Sequence, residues 1–168
     1  GIGESDTIVK PPFFDPLAMI GESGVREPDR TRIRIAVIAD VHFDDAPPRE
    51  ASSCRTTIAD VLLLRAVHRL NRMIRPDVTL LLGDLIDKGD ISPGKKHLEH
   101  LHAIVKQFDG PVIAIPGNHD GDPKDFYSVF GRPRETLDIK GVRFVTFADP
   151  EEPGYNARRT KGDLERMA

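Results

Sequence analysis

The sequence predicts an α/β protein that gathers its chemistry at the ends of parallel strands, and three stretches carry that prediction. Ile33-Arg-Ile-Ala-Val-Ile-Ala-Asp40-Val-His42, Asp77-Val-Thr-Leu-Leu-Leu-Gly83-Asp84 and Pro111-Val-Ile-Ala-Ile-Pro-Gly-Asn-His-Asp120 are each a short apolar run that stops in polar residues. Continuous runs of Val, Ile and Leu suit strands covered on both faces. Pro116 and Gly117 end the third run without letting a helix start at once. Ligands of α/β sheets sit beyond the carboxyl ends of the strands, so the three polar endings point to one shared site.

Composition bounds the rest. A chain of 168 residues with 39% apolar content is ordinary for one globular domain. A formal charge of -3 provides no broad basic field, which argues against nucleic acid or an anionic membrane as a partner. The single cysteine, Cys54, excludes an internal disulfide and fits a reducing compartment, so a cytoplasmic location is expected. No apolar stretch approaches the roughly 20 residues of a membrane span.

Taken in order, residues 1–30 are rich in Gly, Pro, Asp and Glu without a sustained period and read as an extended lead-in, with Phe13-Phe14 as a small apolar anchor. Residues 31–168 form the domain. A first strand is expected from about Arg32 to Ala39. Asp40 and His42, two apart in near-extended chain, leave on one face and can reach one ion. Ser52 or Ser53 is placed to cap a helix ending near Ile74. Its expected buried stripe is Ile58, Val61, Leu62, Ala66, Leu70 and Met73.

Val78 to Leu82 forms the second strand, and Gly83 allows the tight turn that aims the Asp84 carboxylate. Asp87 is expected to support the site rather than bind an ion. Ser92-Pro93 opens a helix to about Phe108, with Leu98, Leu101, Val105 and Phe108 inward and His97, His100 and His102 on a solvated face. Asp122-Pro123 opens a short helix through Phe130. Leu137 to Ile139 and Val142 to Phe147 alternate around Lys140-Gly141 as a hairpin. Residues 149–159 read as a polar connection. Thr160 and Asp163 form a variant capping box for a helix that begins as the sequence ends, which gives the chain the look of a cut piece.

Carboxylate, imidazole and amide oxygen together suit Mn, Fe or Zn. Two such ions can hold a phosphate ester, lower the pKa of a bound water and neutralise charge on attacking and leaving oxygens. With Asp40-Val-His42, Gly83-Asp84 and Gly117-Asn-His-Asp120 in this order, each after an apolar strand, the chain resembles the calcineurin-like metallophosphoesterase superfamily over residues 32–148. The run from Leu82 to Gly89 together with Pro111 to Asp120 looks most like the bacterial class III cyclic-nucleotide phosphodiesterases.

The resemblance implies a four-layer α/β/β/α sandwich whose second sheet is incomplete in this chain. It also implies hydrolysis of phosphate mono- or diesters by a binuclear centre, a metal-bound hydroxide attacking phosphorus. In that pattern Asp40 and His42 bind the first metal, Asp84 bridges and Asn118 binds the second. His119 contacts phosphate and stabilises or protonates the departing oxygen, and Asp120 orients either the loop or the imidazole. No histidine follows His119, so the family's lone His and its G-H-x-H pair have no counterpart in the sequence. A C-terminal continuation or a second subunit is then expected to complete the site. A catalytically inactive half-domain that binds a metal or a partner is the alternative.

Overall fold

The computed structural model describes residues 32–46, 55–149, 151–152 and 156–167. They belong to one unit of the chain, Thr31–Ala168. The lead-in over residues 1–30, Ser52, Ser53 and Cys54 lie outside the described residues.

The three apolar runs form one parallel sheet in the order β1 (Ile35–Ile38), β2 (Val78–Leu82), β3 (Val112–Ile115). The register pairs Ile35 with Val78 and Ile38 with Leu81, and on the other side Thr79 with Val112 and Leu82 with Ile115. Neighbours in register share a face, so Ala36, Ile38, Thr79, Leu81, Val112 and Ala114 point one way. That face carries the core. Leu81 and Ala114 pack in one buried cluster with Ala59, Leu63, Leu98, Leu101 and Phe126. These last come from α1 (Ala59–Arg69), α2 (Gly94–Val105) and α3 (Pro123–Phe130), so all three helices cover a single face of the sheet. Each fully buried Leu or Phe there contributes about 1.5–3 kcal/mol.

The opposite face departs from the expectation of strands covered on both sides. Val78 and Ile113 are buried, but Ile35, Val37 and Leu82 are 44%, 58% and 45% exposed. β1 is also shorter than expected, because among the described residues it pairs with β2 alone, after which the backbone turns to a positive φ at Asp40.

The first helix has the expected end but the wrong face. A single 3-10 turn, Thr56–Ile58, precedes α1, and a π turn, Leu70–Ile74, follows it. The buried residues are Ala59, Leu63 and Val67, whereas Ile58, Val61, Leu62 and Met73 are exposed. The run Val61-Leu-Leu-Leu64 places apolar side chains all round the helix, so periodicity alone does not choose the stripe. Arg75 closes the π turn at φ 51°, its N–H donating to Leu70 O, just before Pro76.

α2 buries Leu98, Leu101, Ile104 and Val105 much as expected. The solvated-face reading fails for His97, which is buried against Phe43. α3 starts as read: Asp122 Oδ1 accepts the Lys124 N–H at 2.7 Å ahead of Pro123. β4 (Thr136–Ile139) and β5 (Val142–Val145) form the antiparallel hairpin, whose turn residue Lys140 reaches Asp77 at 2.8 Å. The supposed polar connection contains two short paired strands, β6 (Glu151–Glu152) and β7 (Asn156–Ala157). Thr160 caps α4 (Lys161–Met167), accepting the Asp163 N–H at 3.1 Å while its hydroxyl donates to Asp163 Oδ2.

Candidate metal centre

Backbone hydrogen bonds continue past the strand ends and align the polar endings. Asp40 N–H donates to Gly83 O, His42 N–H to Asp84 O and Phe43 N–H to Leu85 O, at 3.2, 2.9 and 2.9 Å. Asp40, His42 and Asp84 all have positive φ, at 56°, 48° and 53°. That conformation is uncommon outside glycine and costs on the order of 1–3 kcal/mol per residue. Three of the five non-glycine residues of this kind among the described residues are therefore candidate ligands. The packed strands hold these side chains in poses a free chain would avoid.

The glycines explain how the third ending comes so close. Gly83 turns at φ 85°, and a Cβ on Gly117 would fall 2.6 Å from the Asp84 nitrogen. With no side chain at Gly117, the one-turn 3-10 helix Asn118–Asp120 lies directly against Asp84. His119 N–H donates to Asp84 Oδ1 at 3.0 Å, and Asn118, one residue before it, is exposed.

His42 Nε2 faces two carboxylates, 3.8 Å from Asp40 Oδ1 and 3.9 Å from Asp84 Oδ2. These separations are too long for hydrogen bonds and suit donors spread around a common ion. A second trio shares His42: its Nδ1 lies 3.3 Å from Asp87 Oδ1, and the His119 ring meets the His42 ring edge-on at 4.6 Å. His119 Nδ1 lies 2.9 Å from the Asp87 carbonyl oxygen. A carbonyl only accepts, so Nδ1 carries the proton and Nε2 is the free nitrogen.

Asp120 is 1% exposed. Its Oδ1 accepts Leu85 N–H at 2.8 Å and Ile86 N–H at 3.1 Å, and its Oδ2 accepts Gly117 N–H at 2.8 Å. Of the two tasks open to it, orienting the loop or the imidazole, its contacts are with the loops. Burial pushes its pKa above the ordinary carboxylate value; the three N–H donors pull the other way, and the Asp84 charge adds to the rise.

The calcineurin-like phosphoesterase family matches residues 33–154, which contain all of these positions. The chain belongs to that family. Among curated relatives, a probable cyclic nucleotide phosphodiesterase from Synechococcus sp. is 32% identical over 139 residues, 80% of this chain and 51% of that protein. A metallophosphoesterase 1 homolog from Drosophila melanogaster is 30% identical over 92 residues, 52% of this chain and 24% of that protein. The chain thus spans about half the length of one relative and a quarter of the other. Its mixed α/β architecture, a parallel sheet with helices, agrees with the calcineurin-like phosphoesterase fold. Among the described residues no helix is long and apolar enough to cross a membrane.

The sequence pattern alone did not reveal two contacts: the Asp87 carbonyl on His119, because it is a backbone atom, and the burial of His97 beside Asp44 and Asp45.

Proposed function

We propose that this calcineurin-like phosphoesterase chain supplies part of a binuclear Mn, Fe or Zn centre that hydrolyses phosphate esters, with nucleotide phosphodiesters as the substrate class. The observation that carries the reading is the convergence of Asp40, His42 and Asp84, one donor atom from each lying within 4.8 Å of the others. Their mixed oxygen and nitrogen set fits ions of that class. Asp40 and His42 would hold one ion, Asn118 the other, and Asp84, with two oxygens, both. The bound ions would supply Lewis acidity toward the phosphoryl oxygens and the attacking water. The Synechococcus relative's name favours a cyclic nucleotide among the possible diesters.

The chain's own groups do the remaining work. His119, fixed through Nδ1 by the Asp87 carbonyl, leaves Nε2 free to take up a second proton and, as the imidazolium, to give it to the departing oxygen. The Asp87 carboxylate lies 3.3 Å from His42 Nδ1, on the other side of the ring from Nε2. Asp120 is a positioning residue: it ties the Gly117–Asp120 turn to Leu85 and Ile86, and so sets His119 against Asp84.

The described residues give three donors to one ion and two to the other, fewer than such ions take. The remaining donors come from a C-terminal continuation or a second subunit, and the compartment is the cytoplasm. The same donor count favours the alternative of an inactive half-domain that binds metal or a partner. Hydrolysis of bis(p-nitrophenyl) phosphate with added Mn(II), repeated with a chelator and with His119→Ala, separates them. Turnover that needs both Mn(II) and His119 is the expected result. A folded, complete polypeptide that binds Mn(II) without turnover would leave only the binding module.

A further inference from the structure

The loop that carries Asp40 and His42 into the candidate centre meets α2 immediately afterwards. Phe43 is buried, and its ring approaches His97 edge-on with centroids 5.1 Å apart. Asp44 is buried beside it, and the Asp45 carboxylate stands at the surface. His97 is only 6% exposed. Its Nε2 is sealed from solvent and makes no hydrogen bond, although Asp45 Oδ1 lies 3.2 Å away. One donor atom from each of Asp44, Asp45 and His97 lies within 4.8 Å of the others.

A buried ring nitrogen without a partner costs about 1–3 kcal/mol, so the arrangement calls for a ligand. A close nitrogen–oxygen approach that is not aligned as a hydrogen bond is what two ligands of one ion show. Donors about 2.0–2.2 Å from a tetrahedral ion sit roughly 3.3–3.5 Å apart, near the observed separation. Asp44 also takes the Lys88 ammonium on Oδ2 and the Ala46 N–H on Oδ1. A carboxylate has about four lone-pair positions, so acceptor capacity is left for a cation. Imidazole with two carboxylates suits Zn(II) better than Ca(II) or Mg(II), which take oxygen cages.

We propose that His97 Nε2, Asp44 and Asp45 form a Zn(II) site separate from the phosphoesterase centre, fastening the loop from Asp40 to Asp45 onto α2. It uses none of Asp40, His42, Asp84 or Asn118, and it does not rest on the proposed hydrolysis. Calorimetric titration with ZnCl2 tests it in an Asp40→Asn/Asp84→Asn background that weakens the other centre. That background is expected to keep one Zn(II) equivalent, and Zn(II) is expected to raise its melting temperature.

Adding His97→Gln should abolish this equivalent. Adding Asp45→Asn, at a side chain 69% exposed and so safe for the fold, should weaken it at least about tenfold and remove the thermal shift. Should the double background fold poorly, Asp45→Asn in the unaltered chain should weaken one Zn(II) equivalent at least about tenfold. No Zn(II) uptake by a folded background, or uptake unchanged by both His97→Gln and Asp45→Asn, would overturn the proposal.

Discussion

Asp120 shows how much of a site rests on a side chain that never reaches the ligand. Its two oxygens accept three backbone N–H groups from two loops, and it is buried enough that each is shielded from water. Asp120→Asn keeps the shape but turns one acceptor into a donor facing an N–H. The expected cost is about 1–3 kcal/mol, read from urea denaturation. Turnover of the complete enzyme should fall because His119 is displaced, with Mn(II) affinity held within a few fold. A variant as stable as the parent would show that the loops do not depend on this carboxylate.

His119 and Asp84 should separate cleanly. His119→Ala is expected to lower kcat by roughly 10²–10⁴ with Mn(II) binding retained. Asp84→Asn is expected to weaken both Mn(II) sites in one calorimetric titration, and loss of a single site would contradict a shared ligand. The candidate ligands were legible in sequence because each stands directly after an apolar run, where side-chain type alone reveals a strand end. The Asp87 carbonyl was not, since every residue has one and only the folded path brings this one to His119.

At the scale of elements, what the sequence hides is which face a helix turns inward. The strands were readable because β-branched and leucine runs of that length have few other uses. α1 was readable in extent but not in face, because Val61 to Leu64 leaves no polar side to mark solvent. On α2, the burial of His97 is hidden from the sequence because it depends on Phe43, from a loop far away along the chain. His102 on the same helix is pressed against Phe130 of α3, with centroids 4.9 Å apart. Burial first, and Lys106 second, hold its pKa below the ordinary 6.5.

The sign for stability follows from that depression. Above both pKa values His102 is neutral in folded and unfolded chains and contributes no pH dependence. As pH falls through 6.5 the unfolded chain takes up the proton first, so stability drops until the folded value is passed. His102→Gln should therefore lose less stability than the parent between about pH 8 and about pH 5.5, measured by urea denaturation. Equal slopes in the two proteins would show that His102 titrates alike in both states.

At the largest scale, among the described residues, the sheet is unevenly covered: Val78 and Ile113 are buried on the face away from the helices, but other residues there are not. Helices α1, α2 and α3 cover the face of Leu81 and Ala114, while Ile35, Val37 and Leu82 leave an apolar strip on the other, next to the mouth where Asp40 and Asp84 sit. Exposed apolar side chains grouped on one sheet face are available to a nonpolar probe. The strip should bind the dye 8-anilinonaphthalene-1-sulfonate while the chain stays folded, which distinguishes it from a loosely packed state. Val37→Ser should reduce that fluorescence and change stability by no more than about 0.5 kcal/mol, because the side chain is already 58% exposed. Dye binding that survives Val37→Ser, or a loss of stability well beyond that figure, would mean that β1 is already packed against something on this face.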